Sequence, residues 1–518
     1  MRHFNITFQP DGKRVSIHAG ASLLEAANFA GIILNSSCGG KGTCKKCTVL
    51  IEPDKKQVLA CRYIIDCDLT VTVPAASKLY EQKILQHGID RPVKPTYVKT
   101  GTETALGLAV DIGTTTVVAK LIDLITGRLL VAEADFNPQS IHGDDVVSRI
   151  SYAQSDENLS ELQQLIVGCI NNLIDRLCKT TGSDRNDIFQ MTAVGNTTMT
   201  HILLHLPVVQ LGQAPYKAHL LDACDITAKE LNVKINPGAN IRVVENIAGF
   251  VGSDTVAAAL AVDINLAEKL TLLVDIGTNG ELVSGDRNNL YAVSCAAGPA
   301  LEGARISQGS RAAEGAIESV FINDKDIDVD VIGSKPPTTI CGSGIIDAVA
   351  VMLDLGVLDS TGRIIKKSDL PPSISKRIIT KNNQPAFVIA FTNDGQPAVV
   401  LTQQDVREVQ LAKAAIAAGV KLLLKKLNIT ENDIDRILLA GAFGNYIKRA
   451  SAIRIGLLPN IPEDKIQFVG NAASVGATMI LLNTTSRELA GHLARKIQYL
   501  EIAHEKEFMN IYTGCMTF

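Results

Sequence analysis

The chain contains the stretch LGLAVDIGTTTVVAKLI at residues 106–122 and a near-copy, LTLLVDIGTNGELV, at residues 270–283. In each copy an apolar strand ends in Asp-Ile-Gly-Thr and turns into a second strand. The two aspartates, Asp111 and Asp275, are too far apart in the chain for a small solenoid repeat. The duplication therefore predicts two homologous subdomains that face each other across a cleft.

The chemistry of each turn favours phosphate binding. A buried strand brings the aspartate to a sheet edge, the glycine permits a tight hairpin, and the threonine hydroxyl and bare amides can face phosphate oxygens. The aspartate can hold Mg²⁺ through water, because Mg²⁺ keeps several waters and prefers carboxylates. One such turn is a weak signal, since any strand can end this way. Two copies, one in each half, predict a phosphate site.

A third motif, RILLAGAFGNYIKRA at residues 436–450, follows both turns. An apolar strand leads through Gly441 to Gly444 and then into a helix, and small residues at that point let a nucleobase lie against the backbone. An ordinary strand–turn–helix junction also uses glycine for packing, so the motif alone leaves both interpretations open. The Gly/Ala-rich segments NIAGFVGSDTVAAALA and FVGNAASVGATMILL suit a hinge between two moving lobes.

Four cysteines near the N-terminus predict an iron–sulfur centre. Cys38, Cys44 and Cys47 lie in SSCGGKGTCKKC, and Cys61 follows in LACR. The spacing is close to that of plant-type ferredoxins, in which one loop and a later strand ligate a 2Fe–2S cluster. A zinc site or a redox dithiol is the alternative for a Cys-x2-Cys pair, but no second short pair follows. Cys67 competes with Cys61 as the fourth ligand.

Composition narrows the remaining possibilities. The 518 residues suffice for three or four domains, and a net charge of −4 gives no hint of nucleic-acid binding. Eleven cysteines do not make a disulfide scaffold in a chain of this length, which points to a reducing cytoplasm. We expect no signal peptide and no membrane span, because no apolar run is long enough. Low aromatic content and abundant aliphatic residues predict an α/β protein.

The sequence before the first turn divides into two parts. Residues 1–76 predict a small β-rich domain, in which a hairpin, a short helix with Ser22 as its N-cap, and the cysteine loop precede two further strands. Residues 77–104 contain several prolines and predict a linker or a docking arm, with a solvated tether favoured.

The order of phosphate turn, small-residue connector, second phosphate turn, glycine motif and second connector resembles the actin/Hsp70/sugar-kinase superfamily. With the cysteine domain in front, the whole chain resembles the ATP-dependent reductive activators of corrinoid proteins. The segments SCAAGPALEGARISQG (294–309) and TICGSGIIDAVA (339–350) are similar to glycine-rich stretches of that family's C-terminal domain. The resemblance implies an α/β protein with a β-grasp ferredoxin-like domain, a linker and two RNase H-like lobes. Its implied divisions are 1–76, 77–104, 105–205 and 206–518.

The resemblance also implies a mechanism. One electron passes from a 2Fe–2S cluster to Co(II) of a corrinoid protein, which restores the Co(I) that methyl transfer needs. ATP binding and slow hydrolysis bias the conformation, since a nucleotide shifts an equilibrium only by binding two states unequally. The implied partners are a corrinoid protein and a low-potential electron donor, and the fold is compatible with a homodimer.

The resemblance assigns roles to particular residues. The cluster ligands would be Cys38, Cys44, Cys47 and Cys61. The first phosphate turn would comprise Asp111, Gly113, Thr114 and Thr115, and the second Asp275, Gly277, Thr278 and Asn279, with the two aspartates catalytic and Mg²⁺ bound with ATP. The adenosine would be bordered by Gly441, Ala442 and Gly444. No strong catalytic base for ATP hydrolysis stands out.

Two other functions remain open from the sequence. The chain could activate another low-potential enzyme, as the 2-hydroxyacyl-CoA dehydratase activators do, although those lack a ferredoxin-type domain. It could also be a nucleotide-binding scaffold whose cluster senses redox state. His201 and His205, spaced for one helix face, lack a third metal ligand, which favours packing roles. The loops holding Cys295 and Cys341 are candidates for the surface that meets the corrinoid partner.

Overall fold

A computed structural model describes residues 3–10, 12–30, 32, 34, 42, 45, 47–74, 77, 88–98, 104–324, 326–441, 447–502 and 505–518. Its first unit is a five-stranded sheet with one helix. The elements are β1 (His3–Gln9), β2 (Lys13–His18), α1 (Leu23–Phe29), β3 (Thr48–Ile51), β4 (Lys56–Leu59) and β5 (Leu69–Thr72).

The first unit has the β-grasp arrangement that the sequence predicts. The sheet order is β2-β1-β5-β3-β4, with β1 and β5 parallel and the other pairs antiparallel. Alternate residues of β1, Phe4, Ile6 and Phe8, are buried, as the two-residue period of a strand requires. Ser22 begins α1: its hydroxyl accepts from the Glu25 amide while the Glu25 carboxylate accepts from the Ser22 amide, a capping box.

The first lobe contains a six-stranded sheet of order β10-β11-β9-β6-β7-β8. Its elements are β6 (Leu106–Ile112), β7 (Thr116–Asp123), β8 (Leu129–Phe136), α2 (Val146–Tyr152), α3 (Asp156–Thr181), β9 (Ile188–Gly195), α4 (Thr197–Leu203), β10 (Cys224–Thr227), β11 (Asn240–Val243) and α5 (Ser253–Ala261). The sheet continues past residue 205, where the sequence-based division ended the first lobe, because β11 pairs in parallel with β9. We therefore propose that the lobe boundary lies beyond Val243.

The second lobe contains another six-stranded sheet, β22-β21-β12-β13-β14-β23, and two three-stranded sheets, β16-β15-β17 and β18-β19-β20. Its elements are β12 (Thr271–Ile276), β13 (Gly280–Gly285), β14 (Leu290–Cys295), β15 (Ala316–Asn323), β16 (Asp326–Val331), β17 (Thr339–Ile340), α6 (Gly342–Asp354), α7 (Pro372–Ser375), β18 (Ile378–Lys381), β19 (Gln384–Phe391), β20 (Pro397–Thr402), α8 (Gln403–Leu427), β21 (Arg436–Ala440), α9 (Arg449–Arg454), β22 (Ile466–Gly470), α10 (Ala472–Leu482), α11 (Thr484–Lys496), β23 (Gln498–Tyr499) and α12 (Phe508–Gly514).

The two large sheets repeat one topology. In the first, β6 pairs antiparallel with β7, β7 with β8, and β6 lies parallel to β9. In the second, β12, β13, β14 and β21 have the same relations. The predicted duplication into two RNase H-like lobes is confirmed. No helix in the described parts of the chain has the length and apolar content needed to cross a membrane.

Two helices rich in small residues join the lobes. Helix α10, which follows the second sheet, packs on α5 and on strands β6 and β9 of the first sheet. The approach is close: a Cβ added at Gly476 of α10 would lie 2.0 Å from the carbonyl oxygen of Ala257 in α5. Backbone contact of this kind requires glycine, and a hinge between these helices stays a prediction.

The described part of the predicted linker, residues 88–98, is docked on the lobes. The amide of Ile89 donates to the carbonyl of Val469 at 3.1 Å, and the amide of Thr96 donates to the carbonyl of Leu482 at 2.9 Å. Arg91 forms an ion pair with Asp263. The favoured prediction of a solvated tether is wrong for this segment, because its backbone amides donate hydrogen bonds to carbonyls in β22 and at the end of α10.

Candidate functional site

A pocket lies between the lobes, where β6 and β12 both end. The predicted residues that line it come from both turns and from the end of β21: Asp111, Gly113, Thr114, Thr115, Asp275, Gly277, Thr278, Asn279 and Gly441. The structure thus brings all described members of the predicted nucleotide site together. Ala442 and Gly444 lie outside the described residues. That these residues bind a nucleotide stays a prediction.

The two turns are tight, as their glycines predict. The Gly113 amide donates to the Thr116 carbonyl at 2.9 Å, and the Gly277 amide donates to the Asn279 carbonyl at the same distance. Gly441 has φ +91°, and a Cβ there would lie 2.5 Å from Oδ1 of Asp275. Glycine at this position is therefore needed to let the end of β21 pass the second turn's aspartate.

Four carboxylates gather on one side of the pocket: Asp111, Asp275, Asp254 from the first turn of α5, and Glu281 from β13. Burial, together with the charges of Asp254 and Asp111, raises the pKa of Asp275 to about 7. Burial and Asp111 also raise the pKa of Asp254 to about 7, and that of Glu281 is raised by burial and its acidic neighbours. Such crowding disfavours the ionised forms and favours a bound cation.

Asp111, which belongs to the first lobe, is hydrogen-bonded to a residue of the second lobe. The side-chain amide of Asn471 donates to Oδ2 of Asp111 at 3.0 Å, and Oδ1 of Asn471 accepts from the Ser474 amide as the N-cap of α10. Burial raises the pKa of Asp111 to about 6, opposed by Asn471 and Lys120. Asn471 therefore couples the hinge helix to the first turn.

On the other side of the pocket, one carboxylate connects the two turns. Oε1 of Glu302 accepts from the Thr278 hydroxyl at 3.1 Å, and Oε2 accepts from the Thr115 hydroxyl at 3.3 Å. The two threonine oxygens are 3.0 Å apart. Arg311 lies nearby, with its guanidinium 4.6 Å from the centre of the Phe136 ring and its buried Nη1 without a hydrogen-bond partner.

The first turn is held from behind by buried polar side chains. Arg149, which is fully buried, donates to the Thr114 carbonyl and, at 3.0 Å, to the Gly143 carbonyl. Asn137 donates to the Gly113 carbonyl and Asn196 to the Thr114 hydroxyl, both at 2.9 Å. These contacts satisfy the outer carbonyls of the turn and hold it in place.

The described cluster cysteines lie at the base of the β3–β4 hairpin. Cys47 directly precedes β3 and is buried, Cys61 follows β4, and the Ala60 amide donates to the Cys47 carbonyl at 2.9 Å. Cys67 is exposed on the connection to β5, which favours Cys61 as the fourth ligand. Cys38 and Cys44 lie outside the described residues, and the ligand set stays a prediction.

Comparison with known proteins agrees with this architecture. Residues 6–66 match the family model of the 2Fe–2S iron–sulfur cluster binding domain, 106–267 the RACo middle region, and 269–518 the C-terminal ASKHA domain of RACo. The corrinoid activation enzyme RamQ of Eubacterium limosum is 34% identical, with 93% of each chain covered. The chain belongs to this family of corrinoid activation enzymes.

Other members of the activation-enzyme family match along most of the chain. The Co(II) methylated amine-specific corrinoid protein reductase of Methanosarcina barkeri is 24% identical, covering 78% of this chain and 76% of its own. A solved structure of a reductive activator for corrinoid, iron–sulfur protein superposes with a TM-score of 0.74 at 30% identity. It covers 99% of this chain and 98% of that one. The fold and the domain order are therefore those of the family.

In this member of the family, three of the residues that the sequence analysis missed lie within segments it had singled out. Asp254 and Asn471 belong to the two small-residue segments, and Glu302 to the stretch at 294–309. A charged or amide side chain in an otherwise apolar, small-residue segment was the available signal. No such sequence signal marked Arg311 or Arg149, because each is brought to the pocket only by the tertiary fold.

Two minor predictions can be placed in the structure. Nε2 of His201 accepts from the amides of His219 and Leu220 at 3.1 and 3.2 Å, whereas His205 pairs with Asp156. The two histidines therefore serve separate structural contacts. Cys341 lines the inter-lobe pocket and Cys295 is buried. These cysteines thus give no support to the prediction that their loops meet the corrinoid.

Proposed function

We propose that the chain is an ATP-dependent reductive activator that passes one electron from a 2Fe–2S cluster to Co(II) of a corrinoid protein. Cys38, Cys44, Cys47 and Cys61 would hold the cluster, which would supply the electron for the Co(II) substrate, and a low-potential donor would then replace that electron. The observation that carries the proposal is the joining of a cysteine-bearing β-grasp unit to a pocket lined by two phosphate-type turns. Full-length similarity to corrinoid activation enzymes supports it.

The residues present fit an iron–sulfur cluster. Cys47 and Cys61 offer two thiols at neighbouring hairpin ends, and with Cys38 and Cys44 they would give each iron two thiolates. When bound, the cluster supplies a single electron. Burial of Cys47 restricts water at that side of the site, and lower solvent exposure is one way in which a protein sets a cluster potential.

The pocket fits Mg²⁺ with a nucleotide. Asp111 and Asp275 would face the ion through its waters, with Asp254 and Glu281 behind them. Mg²⁺ keeps several waters and uses nucleotide phosphates as ligands, so carboxylates that face it through water would suffice. The raised pKa values of Asp254 and Asp275 show how poorly the site tolerates its own negative charge without a cation.

Coupling between ATP and electron transfer follows from where the pocket lies. Thr115 and Thr278 belong to different lobes, so a phosphate bound by both would favour the closed arrangement. Asn471 carries that change to α10, the hinge helix on which α5 packs. A nucleotide that binds the closed state more tightly shifts the lobe equilibrium by its differential affinity alone. We also propose a cytoplasmic location, and the fold remains compatible with a homodimer.

The decisive experiment measures Co(I) formation. Reconstituted protein is mixed anaerobically with a Co(II) corrinoid protein and a chemical reductant, with and without MgATP, and the cobalt absorbance is recorded. We expect the Co(I) spectrum only with MgATP and a reduced cluster. A redox-sensing scaffold would bind nucleotide yet give no Co(I), and that result would refute the proposal.

A further inference from the structure

Glu302 has surroundings unlike those of the other pocket carboxylates. It is 7% exposed, and its two oxygens accept hydrogen bonds from the hydroxyls of Thr115 and Thr278, one in each lobe. Both threonines belong to the turns assigned to the phosphates. A carboxylate held between them lies where the terminal phosphate of a nucleotide would meet both lobes.

Arg311 provides the matching positive charge. Among the described residues that line the pocket, Arg311 is the one cationic side chain, and the other charged side chains are all carboxylates. Its buried Nη1 lacks a hydrogen-bond partner, and a buried donor left unsatisfied is costly unless a ligand completes it. Phe136, stacked under the guanidinium, limits its movement. The free donor is therefore available to a phosphate oxygen beside Glu302.

We propose that Glu302 is the general base of ATP hydrolysis and that Arg311 neutralises the transferred phosphoryl group. This inference rests on the proposed function and adds to it the base that the sequence analysis did not find. Both groups come from the segment after β14, which precedes β15 and lies outside the two phosphate turns.

The step balances without any further reactant. A water molecule gives a proton to the Glu302 carboxylate as its oxygen forms a bond to the γ-phosphorus. The bond from the γ-phosphorus to the bridging oxygen breaks, and its electron pair stays on the β-phosphate of ADP. Arg311 donates to the phosphoryl oxygens as charge shifts, and Glu302 then releases its proton to solvent with the phosphate.

The other pocket carboxylates are less suited to this role. Asp111 is bonded to Asn471, and Asp254, Asp275 and Glu281 crowd together where a cation would bind. Burial raises the pKa of Glu302, while Arg311 and the two threonine hydroxyls lower it. Glu302 thus lies close to the pocket's cation and in hydrogen-bond contact with both phosphate turns.

The test is single-turnover hydrolysis with the full-length protein in excess over MgATP. Glu302→Gln keeps an oxygen for the threonine hydroxyls but cannot accept the proton, so we expect phosphate release at least about 100-fold slower. Affinity for a non-hydrolysable ATP analogue, measured separately, should stay within a few-fold of the wild type. Glu302→Asp should retain more rate than Glu302→Gln. Glu314→Gln, the same change at an exposed position nearby, is the control and should hydrolyse normally.

Each outcome is informative. Near-normal hydrolysis by Glu302→Gln, or a Glu302→Gln rate above that of Glu302→Asp, overturns the base assignment and leaves the proposed function intact. Loss of analogue affinity in proportion to the rate would make Glu302 a binding group and also overturns it. If the wild type itself binds no nucleotide, the proposed function fails first, and this inference fails with it.

Discussion

Gly476→Ala should drive the two hinge helices apart. The new Cβ would lie 2.0 Å from the Ala257 carbonyl oxygen and 2.4 Å from its carbon. Reaching an ordinary contact of about 3.4 Å requires the backbones to separate by roughly 1.4 Å, and overpacking of this kind costs up to about 3 kcal/mol. The gain in helix propensity offsets about 1 kcal/mol of that. We therefore expect the free energy of unfolding to fall by about 2 kcal/mol.

The same displacement should weaken nucleotide binding, because Asn471 begins the helix that moves and bonds to Asp111. Thermal unfolding should show the transition lowered by roughly 4–8 °C for a unit of this size, and titration with an ATP analogue should show reduced affinity. Gly168→Ala is the matched control: nothing lies within 4 Å of its added Cβ in the middle of α3. That variant should melt at or slightly above the wild-type temperature. An unchanged melting temperature for Gly476→Ala would refute the close-contact argument.

Three further variants test other parts of the structure. Cys47→Ala should abolish the visible and EPR signals of the cluster while Cys67→Ala keeps them, and the reverse pattern would assign the ligands differently. Asp275→Ala should weaken Mg-nucleotide affinity by at least about tenfold, which corresponds to about 1.4 kcal/mol, and leave the cluster spectrum intact; equal affinity would discredit the two-turn pocket. Burial lowers the pKa of His201 to about 4 in the folded protein, whereas the pKa of histidine in an unfolded chain is about 6.5. The contribution of neutral His201 to the free energy of unfolding is therefore complete above pH values of about 6.5. It falls by about 3 kcal/mol as the pH drops from about 6.5 to about 4. His201→Gln should flatten this part of an acid-unfolding curve, and an unchanged slope would contradict it.

The parts of the fold that could be predicted are those that a local pattern determines. Asp111 and Asp275 each end an apolar strand before a glycine turn, and that sequence dictates both the hairpin and its place at a sheet edge. Their meeting in one pocket followed from the duplication itself. The cysteine spacing likewise determined the class of the first domain.

What could not be predicted depends on distant pairings. Strand β11 returns to lie beside β9, so the first sheet extends past residue 205, and no local signal marks that return. Arg149 reaches Thr114 through the fold alone, and Glu302 meets Thr115 only when the lobes come together. The docking of residues 88–98 depends on carbonyls at the end of α10, which the proline-rich sequence does not reveal.

Gly88 forms a β-bridge with Gly470 of β22. The chain that follows the β-grasp unit is therefore attached at a defined point on the surface of the lobes. Between Pro74 and Gly88 the chain can reach at most about 50 Å when fully extended, so the β-grasp unit ends within that distance of the lobes. Its effective concentration at the lobes is on the order of millimolar. Under the proposed function, electron delivery from this unit to a corrinoid protein bound by the same molecule would be a first-order event, whose rate does not change when the enzyme is diluted.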